Sequence, residues 1–180
     1  MLFGGKFNYN KHMYTIHKAT LKNIPEIKEV LKKTWVATYG YLFNENIINK
    51  ITSDWHSVER LSQSIKNPES LMLIAKNKSG KIIGLCSTSK NNRILKISRL
   101  YVLPKYQKMG IGKKLLEQSI LHFKHIYTIA LEVEALNTNA IEFYKLQGFK
   151  TDKSFVENIE GIKIKSLSMF KKNKTVKKTS

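Results

Sequence analysis

Between residues 98 and 116 the chain reads Ser-Arg-Leu-Tyr-Val-Leu-Pro-Lys-Tyr-Gln-Lys-Met-Gly-Ile-Gly-Lys-Lys-Leu-Leu. Gly110 and Gly112 stand before a run of helical apolar period, flanked by Lys108, Lys113 and Lys114. Glycine lets a ligand lie against bare backbone. The first N–H groups of a helix have no internal acceptor and sit at the positive end of its dipole, so an anion suits them, above all a phosphate. Pro104 offers no N–H to a sheet ladder and ends the apolar strand through Leu100, Tyr101 and Val102. The segment is expected to run strand, phosphate loop, helix.

The loop lacks the Gly-Lys-Ser/Thr ending of a P-loop, and its glycine spacing differs from the three-glycine dinucleotide fingerprint. A second stretch, residues 131–149, carries Asn137-x-x-Ala140-x-x-x-Tyr144-x-x-x-Gly148-Phe149 after a short apolar strand. The two stretches, in this order and at this separation, resemble the GCN5-related N-acetyltransferase (GNAT) superfamily. The first looks like its coenzyme A pyrophosphate loop, the second like its later strand and helix. The resemblance spans residues 14–170 and is specific over residues 99–149.

The resemblance implies an acetyl-coenzyme A-dependent N-acetyltransferase with no metal, acting by direct attack of an amine on the thioester. Gln107, Lys108, Met109, Gly110, Ile111, Gly112 and Lys113 would hold the pyrophosphate. The backbone of Leu100, Tyr101 and Val102 would pair with the pantetheine arm, with the Val102 N–H toward the thioester oxygen, and Asn137 would help to hold that arm. Tyr144 matches the tyrosine thought to protonate the departing thiolate. Glu132 matches the glutamate proposed as base in ribosomal-protein N-terminal acetyltransferases.

These roles answer a chemical need, because an alkylamine of pKa about 10.4 is almost wholly protonated at neutral pH. A carboxylate near pKa 4.3 is a weak base unless burial raises it or a water relays the proton, which leaves Glu132 as a docking charge for a cationic substrate as the other reading. Glu134, two residues on along the same strand face, competes with it. Tyr144 can alternatively pack with Phe143 and Phe149, and Asn137 can act as an N-cap for the following helix.

Trp35, Tyr39, Tyr41 and Trp55 fall where the family builds its acceptor wall, although aromatics near helix ends also serve as core. Their pattern and Asn67-Pro68-Glu69-Ser70 look like the polyamine acetyltransferase branch, for which the acidic candidates are Glu45, Asp54, Glu59, Glu132, Glu134 and Glu157. A small amine or polyamine is the first expectation for the acceptor, a protein N-terminus or lysine the second. A rival reading is a non-catalytic module that senses acetyl-coenzyme A or binds nucleic acid through its basic tail.

The elements that must position these residues follow from periodicity. The 180 residues, 42% apolar, suit one domain, placed at 13–171, with a loose leader at 1–12 and a basic tail at 172–180. Strands are expected over 13–18, 71–75, 82–87, 93–103, 127–133, 149–156 and 162–170. Helices are expected from Thr20 as N-cap, over 44–52, 57–66 and 112–125, and after Asn137. This gives a mixed α/β (α+β) class with a largely antiparallel sheet flanked by helices.

With 32 Lys and Arg against 13 Asp and Glu the net charge is +19, which attracts polyanions but comes with no nucleic-acid-binding motif. No apolar run is long enough to span a bilayer, and the N-terminus lacks a secretory signal, so a cytoplasmic enzyme without membrane contact is expected. A homodimer is compatible with all of this. The lone Cys86 sits in an apolar strand and reads as core. The five histidines show no metal-ligand spacing, although His122 and His125 are expected to share a helix face.

Overall fold

The computed structural model describes residues 13–159 and 161–173. The expected leader at 1–12 and residues 174–180 of the expected tail lie outside them. In chain order the elements are β1 (Tyr14–Lys18), α1 (Ile24–Tyr39), α2 (Glu45–Trp55), α3 (Val58–Lys66), β2 (Ser70–Asn77), β3 (Ile82–Asn91) and β4 (Ile94–Val102), then α4 (Ile111–His122), β5 (Thr128–Glu134), α5 (Thr138–Leu146), β6 (Lys150–Ile159) and β7 (Ile162–Lys172). The mixed α/β class with a mostly antiparallel sheet is the one expected. Among the described residues no helix is long and apolar enough to cross a membrane.

The seven strands form one sheet in the order β1-β2-β3-β4-β5-β7-β6. The β4–β5 pair is parallel and every other pair antiparallel. Alternation along β2 explains its continuous apolar run. Leu71, Leu73 and Ala75 join the core under α4 and α5, while Met72 and Ile74 join the core under α1 and α3. A smaller cluster of Trp35, Phe43, Ile48, Ile51 and Ile164 ties the α1–α2 corner to β7.

One irregularity shapes the molecule. Ser87 faces Arg99 but Thr88 faces Ile97, so Ser98 is an extra residue in β4. Such a bulge bends and twists its strand. β4 pairs with β5 only from Ile94 to Ile97, against Thr128 to Leu131, and the two strands part at the bulge. β5 stays with β7 as far as Glu134. The sheet therefore opens between residues 98–102 and 132–134, which leaves a splay between β4 and β5.

Four sequence expectations need correction. A 3-10 turn (Leu21–Asn23) separates Thr20 from α1, whose N-cap is Asn23; Thr20 instead donates its hydroxyl and its N–H to the Asn23 side chain. β3 runs on to Asn91 because Asn92, at φ 53°, closes a hairpin that extends its pairing with β4. α4 stops at His122, and His125 has a φ of 59°, so the two histidines share no helix face. β7 includes Lys172, the first residue of the expected tail, since it pairs with Thr128.

Candidate active site

The glycine loop lies between the end of β4 and the start of α4. Gly110 caps the helix with a φ of 79°, and Lys108 is also left-handed at 59°, so two reversals within three residues wrap the backbone about the helix end. Lys114 N–H is the first in the helix to find a carbonyl there, that of Gly110. The N–H groups before it point outward. At Gly112 a Cβ would already touch the Phe143 ring at 3.6 Å and Val102 at 3.8 Å, so a branched side chain would close the approach to the backbone. These features fit a pyrophosphate.

The adjoining strand divides its backbone between two neighbours. Leu103 N–H donates to the Ile83 carbonyl in β3. By alternation Tyr101 also turns its backbone to β3, while Leu100 and Val102 turn theirs to the open side. Leu100 and Val102 are thus free toward the splay, except that the Val102 carbonyl accepts from Gln107 Nε2 at 3.0 Å. This corrects two expectations. Tyr101 offers the splay its side chain rather than its backbone, and Gln107 braces the strand end.

A cavity of about 480 Å³ fills the splay. Its lining brings together Leu100, Tyr101, Trp35, Tyr39, Glu132, Asn137 and Tyr144 from the sequence-derived set. Tyr41 stands outside it and is 66% exposed, because α1 ends at Tyr39 and the chain turns outward at Gly40. Trp35 donates its indole N–H to the Tyr101 hydroxyl at 3.2 Å and stacks near Tyr39 and Trp55, so it is both core and wall. Asn137 is the N-cap of α5, accepting from Ala140 N–H at 3.1 Å, and its side chain also bonds Tyr39.

Tyr144, on the buried side of α5, packs between Phe143 and Phe149, with ring centroids at 5.2 and 5.5 Å, and also reaches the cavity. Burial raises its pKa above the ordinary phenol value, with nearby Cys86, Tyr101 and Tyr39 acting the same way. Its hydroxyl stays protonated throughout the physiological range. Burial likewise pushes the Cys86 thiol up to about 12, in keeping with a core role.

The two competing glutamates separate by depth. Glu132 is half exposed and pairs with Lys96 at 3.1 Å. Glu134 is buried; it accepts from Leu136 N–H at 2.6 Å, and its Oε2 has no partner among the described residues. Glu157, from β6, completes a third carboxylate on the same cavity.

Sequence reasoning missed the basic end of this cavity. Arg99 donates from Nε to His56 Nδ1 at 3.3 Å and from Nη2 to the Trp55 carbonyl at 2.9 Å. His56 therefore carries its proton on Nε2, which is buried without a partner among the described residues. Burial, aided by the Arg99 charge, lowers its pKa to about 4. Arg60 from α3 joins them. Arg99 lay inside the recognised motif, but only the packing of the α2–α3 corner against β4 could reveal its partners.

A family model for an acetyltransferase (GNAT) domain matches residues 38–169. The spermidine N(1)-acetyltransferase of Thermoplasma acidophilum is 26% identical over 142 residues, which cover 76% of this chain and 88% of that protein. Among solved structures, the PaiA N-acetyltransferase of T. acidophilum, in complex with coenzyme A, aligns with a TM-score of 0.74 at 28% identity, covering 89% of this chain and 99% of that one. The Escherichia coli ribosomal-protein-S18-alanine N-acetyltransferase shares the fold, with a TM-score of 0.71 at 19% identity over 93% of this chain and 99% of that one. The family model covers most of the chain, and this chain belongs to the GNAT acetyltransferase family.

Proposed function

We propose that the chain is a cytoplasmic, acetyl-coenzyme A-dependent N-acetyltransferase whose acceptor is a small primary amine, with polyamines first and a protein N-terminus or lysine second. One observation carries this reading. The opening between β4 and β5 holds a cavity bearing three carboxylates, Glu132, Glu134 and Glu157, and the anion-receptive helix N-terminus lies beyond the same strand end, with Gly112 beside Val102. The likeness to a spermidine acetyltransferase supports the polyamine choice. Residues 13–172 act as one catalytic domain, with β7 carrying the sheet to Lys172.

Bound in the splay, acetyl-coenzyme A supplies an acetyl group already activated as a thioester. Residues 108–113 would hold the diphosphate by backbone N–H groups, with Lys108 and Lys113 adding charge, whereas the Gln107 N–H is already given to the Pro104 carbonyl. The N–H groups of Leu100 and Val102 face the pantetheine, and that of Val102 is placed to donate to a carbonyl oxygen. Asn137 keeps its N-capping role and presents its amide to the same space.

Glu134 is the better placed base, because its Oε2 is buried and unpartnered whereas Glu132 is already paired to Lys96. Glu132 and Glu157 draw the cationic acceptor in, along the wall of Trp35 and Tyr39. Tyr144, which lines the cavity with its O–H retained, would serve the leaving sulfur as a hydrogen-bond donor. The burial that keeps it protonated also disfavours full proton loss from it. Acetyl-coenzyme A-dependent thiol release with spermidine, against a control without amine, tests the reading. Release matched by acetylspermidine is expected; binding of acetyl-coenzyme A without transfer to any amine would overturn it.

A further inference from the structure

A second groove, of about 660 Å³, meets the acetyl-transfer cavity at Arg60, Ser98 and Arg99, which line both. It lies between α3, the start of β2, residues 87–89 of β3 and the bulge of β4. Its chemistry is unlike that of its neighbour. Arg60, Lys66 and Arg99 are on its walls, and its lining contains no Asp or Glu. None of the three cations has a carboxylate within ion-pair distance among the described residues.

Arg99 is held in this position by two neutral acceptors, His56 Nδ1 and the Trp55 carbonyl. Its charge is therefore fixed without being compensated. Burial lowers the Arg99 pKa, and the nearby Arg60 charge acts in the same direction. Ser70, Ser87, Ser89 and Ser98 line the same groove, and their hydroxyls have no intramolecular hydrogen bond among the described residues. Convergent cations with free hydroxyl donors and no counter-charge form the complement of an oxyanion.

We propose that this groove is an oxyanion-binding site, taking a phosphate or carboxylate on a small molecule through Arg60, Arg99, Lys66 and the serine hydroxyls. Its link to catalysis rests on the acetyl-transfer reading of the adjoining cavity. Arg60 and Arg99 repel a polycationic acceptor there, and an oxyanion in the groove neutralises both. The oxyanion arrives either as a free ion that raises the affinity for a polyamine, or as a group carried by the acceptor amine itself.

The test is titration of the full chain with inorganic phosphate, followed by backbone amide chemical shifts. Saturable shifts at residues 87–89 and 98–99, distinct from those at the 108–113 loop, are expected. Arg60→Gln should weaken this binding about tenfold, as loss of one charge-assisted contact does, and the exposed Lys32→Gln should leave it unchanged. Shifts confined to the 108–113 loop, or equal weakening by both substitutions, would overturn the site. Arg99→Gln with folding checked by circular dichroism gives an independent second loss of binding.

Two kinetic arms separate the sources. A several-fold fall in KM for spermidine on adding phosphate indicates a free ion. A several-fold higher kcat/KM for O-phosphoethanolamine than for ethanolamine indicates an oxyanion on the acceptor. Neither effect, in a variant-sensitive and active enzyme, would overturn the coupling to catalysis. Intact phosphate shifts with no acetylation of any amine would instead remove the acetyl-transfer reading and leave the groove standing.

Discussion

The two walls of the cleft are built in opposite ways. The proposed cofactor wall comes from one unbroken stretch, residues 98–113, in which a strand end, a loop and a helix start are neighbours in sequence. The proposed acceptor wall gathers Trp35 and Tyr39 from α1, His56 from the end of α2, Arg60 from α3, Glu134 from β5 and Glu157 from β6. The first depends on local backbone geometry, the second on tertiary packing. Changes in the first should alter cofactor affinity with the fold intact. Changes in the second should couple acceptor use to stability and pH.

The sharpest break would come at Gly112. Gly112→Val drives a branched side chain against Phe143 and Val102, and coenzyme A affinity by calorimetry is expected to fall roughly a hundredfold, with little change in melting temperature. A variant that bound coenzyme A normally would detach the loop from the cofactor wall.

On the opposite wall, the largest effect should be pH-dependent stability. His56 has a folded pKa of about 4, below its ordinary value of 6.5, so the unfolded chain binds more protons between those limits. Stability is then fully present above about pH 6.5 and is lost as pH falls toward 4. The loss from this group is about 2 kcal/mol by pH 5. Denaturant unfolding across that range should show it, and His56→Gln should flatten that part of the slope; an unchanged slope would mean that His56 titrates normally.

Smaller effects refine the contrast between the carboxylates and the phenol. Tyr144→Phe is expected to lower kcat about tenfold with coenzyme A affinity held within twofold, and equal losses in both would reassign Tyr144 to packing. Glu134→Gln should reduce kcat about fivefold, more at low pH than at high pH. Glu132→Gln removes one exposed docking charge that Lys96 already offsets, and should raise KM by no more than about twofold with kcat unchanged. The reverse ranking of the two glutamates would restore Glu132 as the base.

The same division explains what could be read from the sequence. Pro104, Gly110 and the spacing from Asn137 to Phe149 report backbone needs that are met within a few residues, so the strand, loop and helix order was legible there. Alternation also put Glu132 and Glu134 on one face. It could not rank them by burial, which follows from the turn that brings Leu136 N–H onto Glu134. Arg99 and His56 meet across 43 positions of chain, and neither residue type announces the contact. Tyr41 was misread because its neighbours Trp35 and Tyr39 face inward, whereas the chain leaves the helix between Tyr39 and Tyr41.

Direct transfer across the cleft has one immediate test. The protein is mixed with acetyl-coenzyme A labelled in the acetyl group, first without amine and then with spermidine, and both protein and small molecules are followed by mass spectrometry. Direct attack requires an enzyme that gains no chaseable acetyl group, with label passing to acetylspermidine only once the amine is present. An acetylated protein whose label moves on to spermidine at the turnover rate would contradict it, and would make a residue of the chain the acetyl carrier.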